Sequence, residues 1–300
     1  MSLPSRCLAL LMALSFSLTT LAPVPAAAQE EWVPGKFMTQ AIGEMLDAAD
    51  LLNRKIGYGY ADGACMAGVL LYPKKTYAMN RRFEKGIEYA IVAGGDEDGS
   101  DVDVEILDEQ GNVVAKDDRE DRMAVIEWTP ETTGTYVIRV KLFDAELESF
   151  CAFAILQKGG YAVPLKDAIE AAGKFFGDCQ QIVAAADKND STVGFLSTEG
   201  QAGIWGMVLP KGESLTLSGV VPGAGTGVIL GRGNRDDIDV DLHVLQGERE
   251  IGRDIEEDSF PRFVSEFKDG AQFSVKLQNV DEADGETFVI GGVLRVFAKE

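Results

Sequence analysis

Carboxylates dominate the chemistry this chain could do, and they fall in two crowds. Asp96, Asp98, Asp101 and Asp103 stand together, with Asp117, Asp118 and Asp121 close behind. Asp236, Asp237, Asp239 and Asp241 repeat the arrangement, followed by Asp254, Glu256, Glu257 and Asp258. Calcium takes roughly six to eight oxygens in flexible geometry, largely from carboxylates and carbonyls. Asp98, Asp101, Asp103 and Asp118 are therefore one candidate ligand set, and Asp237, Asp239, Asp241 and Asp254 a second. The competing reading is a solvated face, where acids at every second position keep a sheet soluble. Asp96-Glu97-Asp98-Gly99 lacks the glycine position and the closing Glu of an EF-hand loop, so that motif is not met.

Other chemistry is thinly represented. His243 is the only histidine, which excludes multi-histidine zinc ligation and leaves a nucleophilic triad a single base to draw on. On a strand it would share a face with Asp239 and Asp241, and a lone surface histidine is the simpler reading. No Gly-x-Ser-x-Gly elbow occurs. Acid pairs permit glycosidase-type chemistry, though in so acidic a chain they also arise by chance. Gly223-Ala224-Gly225-Thr226-Gly227 is not spaced as a dinucleotide fingerprint and has no helix behind it, so it reads as a turn.

The elements that must position these acids follow from periodicity. Asp101-Val102-Asp103-Val104-Glu105-Ile106 alternates acid and apolar residue, which puts the two sets on opposite faces of a strand. It returns as Asp237-Ile238-Asp239-Val240-Asp241-Leu242, and its neighbours return in order. Tyr72-Pro73-Lys74 matches Leu209-Pro210-Lys211, Gln110-Gly111 matches Gln246-Gly247, and Val140-Lys141-Leu142 matches Val275-Lys276-Leu277. The chain thus reads as one β-rich module written twice, over 29–159 and 160–300.

Each copy opens with an amphipathic helix. Phe37, Met38, Ala41, Ile42, Met45, Ala49 and Leu52 mark the first. Leu165, Ile169, Ala172, Phe176, Cys179, Val183 and Ala186 mark the second, entered through Pro164. Short apolar runs between Gly, Asp, Asn and Pro turns predict antiparallel strands at 67–72, 77–83, 88–93, 102–107, 113–116, 124–129, 136–142 and 150–157. The second copy predicts strands at 204–209, 214–220, 227–230, 238–245, 259–267, 272–277 and 288–297. The fold class expected is mainly β: two tandem antiparallel sandwiches, each behind one helix.

Asp101 to Leu107, then Gln110-Gly111-Asn112-Val113-Val114-Ala115 with Asp117-Asp118, resembles the bacterial pre-peptidase C-terminal domain. So does Trp128-Thr129-Pro130 followed by Gly134-Thr135-Tyr136-Val137-Ile138-Arg139-Val140. The resemblance spans Lys85 to Gln157 and, more loosely, Lys211 to Phe297. It implies a small jelly-roll-like sandwich, non-catalytic, that accompanies exported enzymes and binds substrate, matrix or calcium. The chain departs from the pattern in having no peptidase attached, in its leading helices, and in Gly270-Ala271-Gln272-Phe273 where the Gly-Thr-Tyr turn would fall.

Compartment is read from the first residues. Arg6, the apolar run from Cys7 to Ala22 and the small residues ending Ala26-Ala27-Ala28 predict a secretory signal over 1–28. Losing Arg6 with it takes the net charge from −21 to −22, which repels nucleic acid and anionic membranes alike. The mature chain keeps Cys65, Cys151 and Cys179. Cys151 faces Val289 in the second copy and Cys65 faces Ala202 or Gly203, so the two are lost together, which predicts a Cys65–Cys151 bridge. Cys179 reads as a buried thiol. The expectation is an exported, periplasmic or extracellular accessory protein with no enzymatic activity and no membrane anchor. Its partner would be a protein or polysaccharide. The alternative is a secreted hydrolase using a carboxylate pair between the modules.

Overall fold

Two helices and eighteen strands are present in a computed structural model that describes residues 35–195, 201–280 and 286–298. The predicted signal over 1–28 lies outside the described residues. The first half holds α1 (Lys36–Ile56), β1 (Tyr58–Tyr60), β2 (Ala64–Leu71), β3 (Thr76–Phe83), β4 (Tyr89–Gly95), β5 (Gly99–Leu107), β6 (Val113–Asp117), β7 (Met123–Trp128), β8 (Gly134–Ala145) and β9 (Ser149–Lys158). The second holds α2 (Leu165–Asp187), β10 (Ser191–Phe195), β11 (Ile204–Pro210), β12 (Ser214–Val220), β13 (Gly225–Gly233), β14 (Val240–Gln246), β15 (Arg249–Asp254), β16 (Arg262–Phe267), β17 (Phe273–Asn279) and β18 (Glu286–Ala298).

The helices form where apolar side chains recur at three- and four-residue steps. In α1 these are Ala41, Ile42, Met45, Leu46 and Ala49, all buried. Gly57 ends it in the left-handed region (φ 72°), where a side chain would be strained, and its N–H bonds back to Asn53 and Leu52. In α2 the buried face is Ala168, Ala171, Ala172, Phe175, Phe176 and Cys179. That face is turned from the expected stripe: Ile169 and Val183 look outward. Periodicity fixed the helix but not which edge of the stripe meets the sheet.

All paired strands run antiparallel. One large sheet has the order β16-β13-β18-β11-β2-β9-β4-β7, with β1 added on β9 and β10 on β18. Two four-stranded sheets, β3-β8-β5-β6 and β12-β17-β14-β15, complete the structure. The central strands of the large sheet are buried on both faces, and alternation divides their side chains. On β9, Phe150, Ala152, Ala154 and Leu156 pack with α1 and α2, while Cys151, Phe153 and Ile155 point the other way. That second set meets Val102, Val104 and Ile106 of β5 and Ile138, Val140 and Leu142 of β8. Trp205, Met207, Ile229, Val289 and Val293 meet Val240, Leu242, Val244, Val275 and Leu277 in the same way. The architecture is mainly β and sandwich-like, with the helices laid on the outer face of the large sheet.

No gap separates the two halves, and the described residues form one compact unit. The join is the pairing of β11 with β2, in the register Ile204 to Gly68, Trp205 to Ala67 and Gly206 to Met66. Gly68 is needed at this seam because a Cβ there would lie 2.5 Å from the Phe150 ring.

The predicted Cys65–Cys151 bridge is absent: both thiols are free and buried, as is Cys179. Cys151 stands opposite Val69 on β2, four residues along from Cys65, a separation of about 13 Å at strand rise. The two also face opposite sides of the sheet, Cys65 toward the helices and Cys151 toward β5 and β8. A disulfide needs its Cα atoms within about 7 Å and its Cβ vectors converging, and neither condition holds.

Candidate functional site

The acids gather where β5 begins and where the chain passes from β6 to β7. Alternation sends Val102, Val104 and Ile106 into the core and leaves Asp101, Asp103 and Glu105 on the other face. Asp117, at the end of β6, is buried and holds the turn closed. Its carboxylate accepts the Val125 N–H at 2.8 Å, the Arg119 N–H at 3.3 Å and the Arg119 guanidinium at 2.9 and 2.7 Å. The Arg119 side chain, followed by these backbone donors against the cost of burial, keeps the Asp117 carboxyl below the usual aspartate range. Asp121 ties the same connection: its Oδ1 accepts the Met123 N–H at 3.0 Å, and its carbonyl accepts the Val102 N–H at 3.0 Å.

Asp103 and Asp101 are less well served. Asp103 has Lys141 at 3.8 Å, yet burial pushes its carboxyl upward, with Asp118, Glu105 and Asp117 adding to the shift. Asp101 is only 7% exposed, and its Oδ1 has no hydrogen-bond partner. Burial raises its pKa first, then the fields of Asp103, Glu120, Asp121 and Asp144. Asp144 lies directly opposite it on β8.

The end around β14 is held by matching bonds. Asp254 accepts the Arg262 N–H at 2.9 Å and the Glu256 N–H at 3.2 Å, the same steps along the chain as Asp117 to Val125 and Arg119. Asp258 Oδ1 accepts the Phe260 N–H at 2.7 Å, and its carbonyl accepts the Val240 N–H at 2.9 Å. Leu242 faces Asp254 as Val104 faces Asp117. By these bonds Asp239 takes the place of Asp101, and Asp241 that of Asp103. The alignment of Asp101 with Asp237 is therefore two residues out. Asp239 Oδ1 is also buried without a partner. Burial, Asp241 and Glu257 raise its pKa, against one backbone bond from Asp258.

The remaining candidates are dispersed. Asp98 donates its backbone N–H to Asp96, whose other oxygen accepts the Phe150 N–H at 2.8 Å, so Asp96 is a structural acid of the loop. Asp118 pairs with Lys116 in solvent, and Asp237 stands exposed beside Arg235 at 3.5 Å. His243 Nδ1 is 2.7 Å from Glu250, on the same strand as Asp241. Among the described residues, no three Asp, Glu, His or Cys side chains form a group that could hold a metal ion. The two candidate calcium sets are thus acidic ends whose members mostly tie loops or meet basic side chains.

Two hollows are described. One, about 10 Å³, has room for a single water beside Asp50, Asn53, Tyr58, Tyr60 and Tyr161. Another, about 210 Å³, is a shallow depression lined by Thr76, Glu105, Arg139 and Lys141, where one acid meets two cations. Neither places two carboxylates across a cleft. Trp128 packs edge-on against Phe83 and Tyr136, and Trp205 is buried, so neither forms a sugar platform. Burial lifts the Cys65 thiol to about 12 and pushes Cys151 and Cys179 up as well, which removes thiolate chemistry at neutral pH.

No family model and no curated protein matches the chain. Solved structures similar to parts of it include a conserved protein of unknown function from Pseudomonas aeruginosa, at 11% identity and TM-score 0.19, covering 79% of this chain and 82% of that one. The tandem CBM22 domains of Paenibacillus barcinonensis Xyn10C share 12% identity at TM-score 0.21, covering 82% and 94%. The secreted serine protease VesC of Vibrio cholerae shares 9% at TM-score 0.22, covering 77% and 51%. Likeness at this level carries no argument about what the chain does.

Proposed function

We propose that this is an exported, non-catalytic accessory protein made of two copies of one helix-plus-sandwich module of the pre-peptidase C-terminal type, binding a protein or polysaccharide outside the cytoplasm. One observation supports the duplication above all: adding nine to every strand number turns β7-β4-β9-β2 into β16-β13-β18-β11 and β3-β8-β5-β6 into β12-β17-β14-β15. The same shift carries the β1–β9 pair onto β10–β18. A chain that repeats its pairing order and its loop-tying aspartates invests its polar groups in holding two frameworks. Asp117, Asp121, Asp254 and Asp258 accept backbone N–H groups, which makes them parts of the scaffold.

Export is tested by expressing the full chain with a C-terminal tag and weighing the product recovered outside the cytoplasm. The expected amino terminus is Gln29, and a full-length product retained inside would contradict the reading. The accessory role is tested on the purified product with peptide and glycoside substrates. Turnover that survives purification and is abolished by replacing a pair of acids would favour the hydrolase instead.

A further inference from the structure

The turn after β2 is built again after β11, and the two copies present different surfaces. In the first half the Lys74 N–H donates to the Leu142 carbonyl at 2.6 Å, the Leu142 N–H to the Lys75 carbonyl at 3.1 Å and the Lys75 N–H to the Tyr72 carbonyl at 2.9 Å. In the second, Gly212 donates to Asn279 at 2.9 Å, Asn279 to Glu213 at 3.0 Å and Glu213 to Pro210 at 3.0 Å. These bonds set Tyr72 against Pro210, Lys74 against Gly212 and Lys75 against Glu213. One residue past Leu142 and Asn279, Phe143 stands against Val280. Each turn needs one left-handed residue, at φ 75° in Gly212 and φ 66° in Lys74. Glycine takes that conformation freely and lysine only under strain. The first half therefore keeps a strained cation where its own duplicate shows that glycine suffices, and strain of this kind gathers at binding sites.

What surrounds Lys74 is apolar and cationic. Tyr72 is 51% exposed, Phe143 47%, and Leu147 of the β8–β9 turn 49%. Single exposed apolar side chains are ordinary, but neighbouring ones rimmed by polar groups mark a contact surface. The Lys141 ammonium lies 4.1 Å from the centre of the Phe143 ring. Thr76 pairs with Lys141 across β3 and β8, where the second half pairs Ser214 with Gln278. Both residues also line the depression of about 210 Å³, together with Glu105 and Arg139. Asp103 and Glu105 of β5 meet Lys141 and Arg139 from one side, and Asp144, next to Phe143, accepts the Ser100 hydroxyl. Lys74 and Lys75 stand exposed on the other side.

We propose that this corner binds a carboxylated polysaccharide, with a sugar ring laid on Tyr72 or Phe143 and a uronic carboxylate among Lys74, Lys75 and Lys141. The apolar face of a sugar ring and an exposed aromatic ring leave water together. The carboxylate takes charge-assisted hydrogen bonds from the ammonium groups. A folded protein partner would need about 800 Å² on this side, and the corner offers one turn and a hollow smaller than the roughly 300 Å³ of an ordinary ligand pocket. The net charge of −21 does not forbid an anion here, because salt screens distant charges beyond about 8 Å and leaves the local lysines to decide. The site deepens the accessory reading above, on which it rests, by making the polysaccharide an acidic one. Since the second half carries Pro210, Gly212, Glu213, Gln278 and Val280 at the same places, each chain has one such site.

The test is calorimetric titration of the purified protein with a short oligogalacturonate, a neutral cello-oligosaccharide of the same length and an acidic peptide. Chelator is present throughout, so that calcium cannot bridge the ligand to the aspartates. The galacturonate should saturate one site per chain and bind at least about tenfold more tightly than the neutral sugar. Tyr72→Ala and Phe143→Ala should each weaken it about tenfold. Lys75→Glu, which installs the side chain of the second copy, should weaken it several-fold and flatten its salt dependence. Lys74→Gly should melt no lower than wild type yet bind several-fold more weakly, a combination that a merely structural lysine would not give. No binding of the galacturonate, two sites per chain, or an affinity unchanged in all four variants would overturn the site. Tighter binding of the acidic peptide would overturn it in favour of a protein partner. The accessory reading fails by a different result, substrate turnover, so the two failures are told apart.

Discussion

Replacing Asp117 with Ala tests how the acidic ends are built. The substitution strips the acceptor from two backbone donors, Val125 at 2.8 Å and Arg119 at 3.3 Å, at a site only 8% exposed. Hydrogen bonds to a charged group contribute about 1.5 kcal/mol or more each, and a buried donor left unmet costs a similar amount. The Arg119 guanidinium is 65% exposed, so solvent screens its ion pair and the backbone donors dominate the loss. The loss should come to about 3 kcal/mol, read from the urea midpoint at unchanged m. Asp118→Ala is the control: its pairing with Lys116 lies in solvent and should leave the urea midpoint unchanged. The penalty must also depend on pH. The folded carboxyl lies below the usual aspartate range, so its contribution is present above the unfolded pKa of about 3.9 and fades as pH falls through the folded value. If Asp118→Ala costs as much as Asp117→Ala, or the Asp117 penalty persists unchanged in strong acid, the clamp reading fails.

Three further outcomes follow from the same geometry. Alkylation of the purified protein in denaturant without reductant should label Cys65, Cys151 and Cys179, because all three are free; labelling of Cys179 alone would restore the bridge. Phe153→Ala, which empties a wholly buried site beside Tyr77, should cost about 3–5 kcal/mol in chemical denaturation, and a loss below 1 kcal/mol would show that it is not core. Calcium against chelator should move the melting temperature by less than about 1 °C, since the described acids form no metal group; a rise of several degrees would mean the ends reorganise around the ion.

The elements were legible in the sequence wherever burial imposes a period. Expected strands at 77–83, 113–116 and 124–129 lie within a residue of β3, β6 and β7 at each end. β15 escaped notice because Arg-Glu-Ile-Gly-Arg-Asp is an edge strand with four charged residues in six, so no apolar alternation marks it. β1 and β10 are short additions whose pairing with β9 and β18 is set by distant partners. The two-residue error in matching Asp101 to Asp237 has a plain cause. A period-two pattern looks the same after a slip of two, and only bonds from the neighbouring connection distinguish the registers. The cysteine pairing failed for a related reason: joint absence from one half says nothing about which face of a strand each thiol occupies. The β2–β11 seam rests on Gly68 and Gly206, whose role is to be small, and that leaves no pattern to read.

The two halves share one pairing scheme and meet within a single large sheet. A crystal structure of the protein tests this most directly, by superposing residues 58–158 on 191–298. The strands should overlay in order with Asp101 on Asp239 and Asp117 on Asp254, and with β2 hydrogen-bonded to β11. Halves that overlay only with Asp101 on Asp237, that do not overlay, or that stand apart without the β2–β11 pairing would contradict it.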